Sequence, residues 1–331
     1  MTVNLSRRGF VAGALLSMGG SACLTRAAFA ADAWPTRPIR LVVPLPPGGG
    51  ADIVARLIAE RLAPRLGQGV VVDNKAGGGT VIGAQFVANA RPDGYTFLFG
   101  TATTHAINAS LVKNLPYDPV KDFSPISLVA DLPLILVMNP SVPANSLEEL
   151  VEYIRARPGK INFGSTGNGS SIQLAGEMLK IEAKLDMTHV PYQGASPALV
   201  DLLAGRVQFM FTTIPPALPY VNSGKLKALC VASVKRTTLL PDLPSTTELG
   251  YPGVVASSWN GVLAPANSPP EAIDRMSQEL HAVMQMPDIV ERLKKMGVEP
   301  ASDTPEEFAR YIQSETTRYA RVIKISGAQI D

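Results

Sequence analysis

Cysteine is almost absent from this chain: two residues in 331, Cys23 and Cys230. Cys23 lies in a leader-like segment, so Cys230 would stand alone in the processed protein, and no intramolecular disulfide can form. Histidine is nearly as scarce, with only His105, His189 and His281. No grouping of His, Cys and carboxylates occurs at metal-ligand spacing, so the sequence gives no metal site. No glycine loop runs into Gly-Lys-Ser or Gly-Lys-Thr, which removes the nucleotide P-loop. A dinucleotide fingerprint is fragmentary: Gly48, Gly50 and Ile53 are present, Asp73 ends the next strand, and the third glycine is missing. Ser165, in "FGSTG", lacks the Gly-x-Ser-x-Gly spacing of a nucleophile elbow. These absences favour a binding protein without cofactor over an enzyme.

What is present begins with a leader. "SRRGF" (Ser6 to Phe10), a mildly apolar run and "AFA" before Ala31 read as a twin-arginine signal peptide over residues 1–30. Its removal takes away Arg7, Arg8 and Arg26 and no acid, so the formal charge of +2 becomes −1. The chain's basicity is therefore in the leader, and no argument for nucleic acid or an anionic membrane survives. With 46% hydrophobic and 18% charged residues, the remainder can bury a large core, and its length suits two lobes. No later run is long enough to span a bilayer. The expected product is an exported, soluble monomer.

From Ile39 onward, short β-branched runs alternate with helical patterns, which predicts an α/β fold with mostly parallel strands. The strand "IRLVV" leads through "PLPPGGG" into a helix with Ile53, Val54, Leu57, Ile58 and Leu62 on one face. Apolar stretches near Leu128 to Met138 and Leu226 to Ser233 are suited to cross between lobes. The expected division is residues 31–130 plus 235–331 for one lobe and 131–234 for the other.

Three loops share one design, each following a strand, rich in Gly, Ser or Thr, and opening a helix. They are Pro46 to Asp52, Lys75 to Thr80, and Gly164 to Ser171. A helix N-terminus carries unpaired N–H groups and partial positive charge, so such loops suit carboxylate, phosphate or sulfate. In an open α/β sheet they gather at the carboxyl ends of the strands, where ligands bind. Asp52 reads as a first-turn acid favoured by the helix dipole.

With their neighbours the loops resemble the Bug-type receptors of tripartite tricarboxylate transporters. The likeness rests on Pro44, Pro47, Gly48 to Gly50 and Asp52, on "NKAGGGTVIGA" from Asn74, "PDGYTFL" from Pro92 and "THAIN" from Thr104. It continues through "LPYDPVKDF" from Leu115, "FGSTGNGSS" from Phe163, "HVPYQGASPALVDLLAGRV" from His189 and "SWNGVLAP" from Ser258. The resemblance implies a type II periplasmic binding protein fold, a two-lobed Venus flytrap. It also implies a periplasmic location, a small carboxylate as ligand and a two-subunit membrane permease as partner. By the same resemblance Leu45, Pro47, Gly48, Gly49, Gly50, Asp52, Gly79 and Thr80 would form the first-lobe side of the site. Thr101, Thr103 and His105 would line its wall, Ser165, Thr166, Asn168, Gly169 and Ser170 would reach in from the second lobe, and Tyr192 and Gln193 would form the floor. Leu45, Thr80, Gln173 and Thr212 depart from the usual aromatic, glycine, histidine and aspartate, which leaves the ligand's identity open among di- and tricarboxylates and aromatic acids. A receptor for a two-component kinase and an exported hydrolase using Ser165 or His105 are the alternatives.

Overall fold

Strand and helix alternate from the start of the computed structural model, which describes residues Trp34–Ser326. The twin-arginine leader assigned to residues 1–30 lies outside the described residues. β1 (Ile39–Val43) leads to α1 (Gly50–Leu66), β2 (Val70–Asn74), α2 (Val81–Ala88), β3 (Thr96–Thr101) and, after a π-type turn at Thr103–Ile107, α3 (Asn108–Leu111). The 16-residue β4 (Phe123–Met138) follows. Next come α4 (Leu147–Arg155), β5 (Asn162–Ser165), α5 (Ser171–Glu182), β6 (Thr188–Pro191), α6 (Ala195–Leu203), β7 (Phe209–Thr213), α7 (Ile214–Asn222) and β8 (Lys227–Val231). The chain ends with β9 (Ser257–Pro265), α8 (Pro270–Met284), α9 (Pro287–Lys295), the short β10 (Glu299–Pro300) and α10 (Pro305–Ser326).

The sheet order is β2-β1-β3-β9-β4-β7-β5-β6, with β8 and β10 also paired to β4. β4 makes this one sheet serve two lobes. Residues Phe123 to Pro133 pair with β9, and Leu134 to Met138 pair with β7. The expectation of mostly parallel strands needs correction. β1 with β2 and β3, and β5 with β6 and β7, are parallel, but every pairing made by β4 and β9 is antiparallel. Parallel βα units build each lobe, while strands that leave one lobe and return to it must run against them.

Packing follows the hydrophobic pattern. On α1, Val54, Leu57, Ile58 and Leu62 are buried against β1, β3 and α8, and Gly67 ends the helix in the left-handed conformation (φ 67°). Ile53, expected on the same face, is 36% exposed because it lies in the first turn, at the edge of the buried stripe. In the second lobe Phe163 stacks on Phe209 at 5.9 Å, and the cluster continues along β4 to Trp259, Phe308 and Tyr319. Fully burying such side chains contributes roughly 1.5–3 kcal/mol each.

Helices α7 and α9 fall where the sequence reading places none. Both open on proline at the first turn, where the missing N–H is not needed and φ is already suited to a helix. Among the described residues no helix is long and apolar enough to cross a membrane. Cys230 is free and buried in β8, with its thiol pushed up to about 12 by burial.

Candidate functional site

The first loop is held from behind. Asp52 is buried, and its carboxylate accepts from the Gly48 N–H at 2.9 Å, from Asn74 Nδ2 at 2.9 Å and from Arg56 Nε at 3.1 Å. Burial alone would raise its pKa, but the hydrogen bonds from Arg56, Gly48 and Asn74 outweigh it and hold the carboxyl below the usual carboxylate range. Asn74 also donates to the Leu45 carbonyl at 3.1 Å and accepts from Arg56 at 2.8 Å. The sequence reading placed Asp52 among ligand-binding residues; with its oxygens occupied by protein donors, it braces the loop instead. Pro47 and Gly48 are exposed, while Leu45, Gly49 and Gly50 are half-buried. No side chain caps α1, and its first backbone bond is Ile53 N to Gly49 O at 3.0 Å. The N–H groups of Gly50, Ala51 and Asp52 precede that bond and are left for an external acceptor.

The second loop winds left-handed. Gly77, Gly78, Gly79 and Thr80 have φ of 132°, 55°, 61° and 78°. Thr80 is buried and branched, and a non-glycine residue held there costs about 1–2 kcal/mol. Gly77 to Gly79 are exposed, and α2 also begins without a side-chain cap. The two loops are joined tightly at Gly83, where a Cβ would lie 2.7 Å from the Lys75 carbonyl and 2.8 Å from Pro44. Lys75 pairs with Asp73 at 3.5 Å and sits 4.4 Å over the Phe86 ring.

The side wall differs from the expectation. Thr103 is half-buried, but Thr101 is buried and its hydroxyl accepts from Thr104 N at 3.3 Å. His105 is fully buried, edge-on to Phe123 at 4.7 Å, and does not reach the cleft. Thr104 Oγ1 donates to the Thr101 carbonyl at 2.9 Å, so it must accept from His105 Nδ1 at 2.8 Å. Nδ1 therefore carries a proton, and burial, which pushes the pKa down to about 3, keeps the ring neutral. A π-type turn rotates His105 inward, which the spacing of "GTATTHAIN" did not reveal.

The third loop satisfies itself. Ser170 caps α5 by accepting from Gln173 N at 3.1 Å, and Gln173 Oε1 takes the Gly169 N–H at 2.6 Å. Ser170 Oγ donates to the Gly167 carbonyl at 2.8 Å. Ser165 is fully buried, 2.6 Å from His189 Nε2 and 3.1 Å from both the N–H and the carbonyl of Gly167. Ser165, Gly169 and Ser170, expected at the ligand, are thus committed within the loop; Thr166 stays half-buried and Asn168 exposed. His189, whose pKa burial and Lys180 push down to about 4, has no carboxylate hydrogen-bonded to it among the described residues. Ser165 and His189 tie β5 to β6. Tyr192 donates to Asp201 at 2.8 Å, and Gln193 is exposed.

Two neighbours escaped the sequence reading. A Cβ on Gly50 would stand 2.9 Å from Leu132 Cδ2 and 3.5 Å from Thr213 Oγ1, which brings the first loop against the β7–α7 junction. Thr212, singled out for replacing an acid, is fully buried with an unpartnered hydroxyl; Thr213, on the other face of β7, is the residue beside the loop. Strand alternation was the signal available. A cavity of about 470 Å³ lies elsewhere, around Asp131, Ser233, Ser257 and Glu315. Among the described residues no group of three His, Cys, Asp or Glu side chains could hold a metal ion.

Residues 54–328 match the family model described as tripartite tricarboxylate transporter family receptor. The chain is 37% identical over 329 residues to protein BugT of Bordetella pertussis, covering 99% of this chain and all of BugT. Among solved structures, a Rhodopseudomonas palustris protein with adipate superposes with a TM-score of 0.86 at 36% identity, covering 90% of this chain and 100% of that one. MatC from the same organism, with bound malate, gives 0.82 at 32% identity, covering 87% and 99%.

Proposed function

The chain belongs to the tripartite tricarboxylate transporter receptor family, and from that premise we propose that it captures a small organic carboxylate between its lobes and delivers it to a two-subunit membrane permease. Its fold is the two-lobed periplasmic binding protein fold of that family. The observation that carries the proposal is the pair of uncapped, cation-poor helix starts at α1 and α2, braced from behind by Asp52 and Asn74. A carboxylate placed there would complete the N–H groups of Gly50, Ala51 and Asp52 at α1; at α2 Val81 N and Ile82 N already donate to the Gly78 and Gly77 carbonyls, so the second loop would offer the N–H groups of its glycines. Gly48, Gly49, Gly50, Gly79 and Thr80 form its cradle, with Leu45, Pro47 and Thr103 at the rim. Thr166, Asn168, Tyr192 and Gln193 face it from the second lobe. Adipate in one relative and malate in another support an aliphatic dicarboxylate as the ligand class.

Closure would turn on β4 between Pro133 and Leu134, where its partner strand changes, and on the return segment tied by Ala232 N to Leu134 O at 2.8 Å and Ala256 N to Ala232 O at 3.0 Å. The proposed lobes are residues 31–130 with 235–331, and 131–234. The protein would act in the periplasm after twin-arginine export.

A thermal-shift screen with malonate, succinate, malate, glutarate, adipate, citrate, nicotinate and phthalate tests the reading. A true ligand at 100 times its Kd stabilises the protein by about 2.7 kcal/mol. At least one acid should raise Tm while its amide does not. No shift with any of the eight acids at millimolar concentration would contradict the proposal.

A further inference from the structure

A polar network is buried beneath the second loop. Asn108, fully buried at the start of α3, places Nδ2 3.0 Å from the Gly79 carbonyl, 3.3 Å from Thr80 Oγ1 and 3.4 Å from the Tyr117 hydroxyl. The Gly79 carbonyl can only accept, so the amide nitrogen must face the loop. Asn108 Oδ1 is left buried with no donor. Tyr117 spends its single hydrogen on the Thr104 carbonyl at 2.8 Å, so toward Asn108 it can only accept. Bond directions follow from these constraints. Asn108 donates to Thr80, and the hydrogen of the Thr80 hydroxyl has no acceptor among the described residues. Thr80 is also the non-glycine residue at φ 78°, and the hold of Asn108 on Gly79 and Thr80 offsets that strain.

We propose that Asn108 is a positioning residue of the carboxylate site, which keeps the second loop in its left-handed turn and, by donating to Thr80 Oγ1, directs the Thr80 hydroxyl hydrogen toward the bound anion. The proposal rests on the carboxylate-receptor reading above. It separates two duties within one loop: the glycines supply the shape, and Asn108 supplies the polarity.

The probe is whichever of malonate, succinate, malate, glutarate, adipate and citrate the unmodified protein binds most tightly. Calorimetry then compares Asn108→Ala and Asn108→Asp, each alone and combined with Thr80→Gly, and amide exchange is followed over residues 77–81 without ligand. A hydrogen bond to a charged acceptor supports roughly tenfold or more in affinity. Each Asn108 variant should lose that much with Thr80 present, and about threefold or less in the Thr80→Gly background. Asn108→Asp keeps the side chain's shape but can donate neither to Thr80 nor to the Gly79 carbonyl, so it loses the hold and the polarity together, and the Thr80→Gly background separates the two. Exchange over 77–81 should quicken in Asn108→Ala while the other elements keep their protection. Equal losses in both backgrounds, or unchanged affinity, would overturn the proposal and leave the receptor reading standing. Binding by the parent of none of these six acids, nor of nicotinate or phthalate, would overturn both. If Asn108→Ala does not fold, Asn108→Asp and Asn108→Ser provide the same comparison.

Discussion

The N-termini of α1 and α5 follow the same recipe, a strand, a glycine-rich loop and a helix, yet they leave their first turns in opposite states. α1 starts at Gly49 and Gly50 with no side-chain cap, and its brace, Asp52, works from within the helix. α5 starts at Ser170 with a cap on Gln173 N, a reciprocal bond from Gln173 to Gly169, and two serine hydroxyls turned onto Gly167. Glycine in a loop therefore does not by itself make an anion site. What decides it is whether the loop's own side chains have already used the N–H groups. By that criterion the proposed site would hold the charge with the first lobe, and the second would contribute shape and cover.

The largest effect should come from crowding the uncapped loop. Gly49 has φ of −81° and open space around its missing Cβ, with only the Pro46 carbonyl at 3.8 Å, so Gly49→Val should fold normally. Two lost hydrogen bonds to a carboxylate amount to about a hundredfold or more in Kd. Calorimetry and a melting curve on the same sample check both halves of this expectation.

Ser170→Ala should do the reverse. Loss of the cap costs about 1 kcal/mol of stability, or roughly 2–4 °C in Tm for a chain of this size. Affinity should stay within about threefold, because the hydroxyl is spent inside the loop. A tenfold loss of affinity would place the second lobe's loop on the ligand's charge.

Lys75→Ala sharpens the contrast further. Its ammonium is part-exposed and shared between Asp73 and Phe86, so the loss should be about fivefold or less. A loss larger than that of Gly49→Val would replace the backbone cradle with an ion pair.

The smallest effect concerns pH, and the two lobes contribute with the same sign. His105 and His189 have pKa values pushed below the ordinary 6.5, to about 3 and about 4, by burial. The unfolded chain binds protons that these native rings refuse, so their contribution is present above pH 6.5 and is lost as pH falls toward those values. Asp131, pushed up to about 6 by burial, acts in the opposite sense between about pH 4 and 6. Variant and parent must therefore be compared directly. His189→Gln should lose less stability than the parent between pH 6.5 and 4 in urea titrations, and a parallel pair of curves would contradict the assignment.

The alternation of strand and helix was legible because β1, β2 and β3 carry dense β-branched or apolar runs and α1, α4 and α8 carry clear helical spacing. The direction of β4 and β9 was not, since an apolar strand reads the same whichever way its neighbour runs. Within the site, the glycines of the first two loops could be found from composition. The fate of Ser165, Ser170 and His105 could not, because hydroxyls and imidazoles serve a ligand or a neighbour equally well until the backbone turn that aims them is known. Asn108 lies 28 residues after Thr80, and only folding brings the two together.

The central claim is that first-lobe N–H groups hold the anion, and amide proton shifts in a deuterated, 15N-labelled sample test it most directly. On saturation with the tightest-binding dicarboxylate, the amides of Gly49, Gly50, Ala51 and Gly79 should move downfield most, with Gly167 and Gly169 changing little. Large downfield shifts confined to residues 166–171, with the first-lobe amides unmoved, would contradict the account.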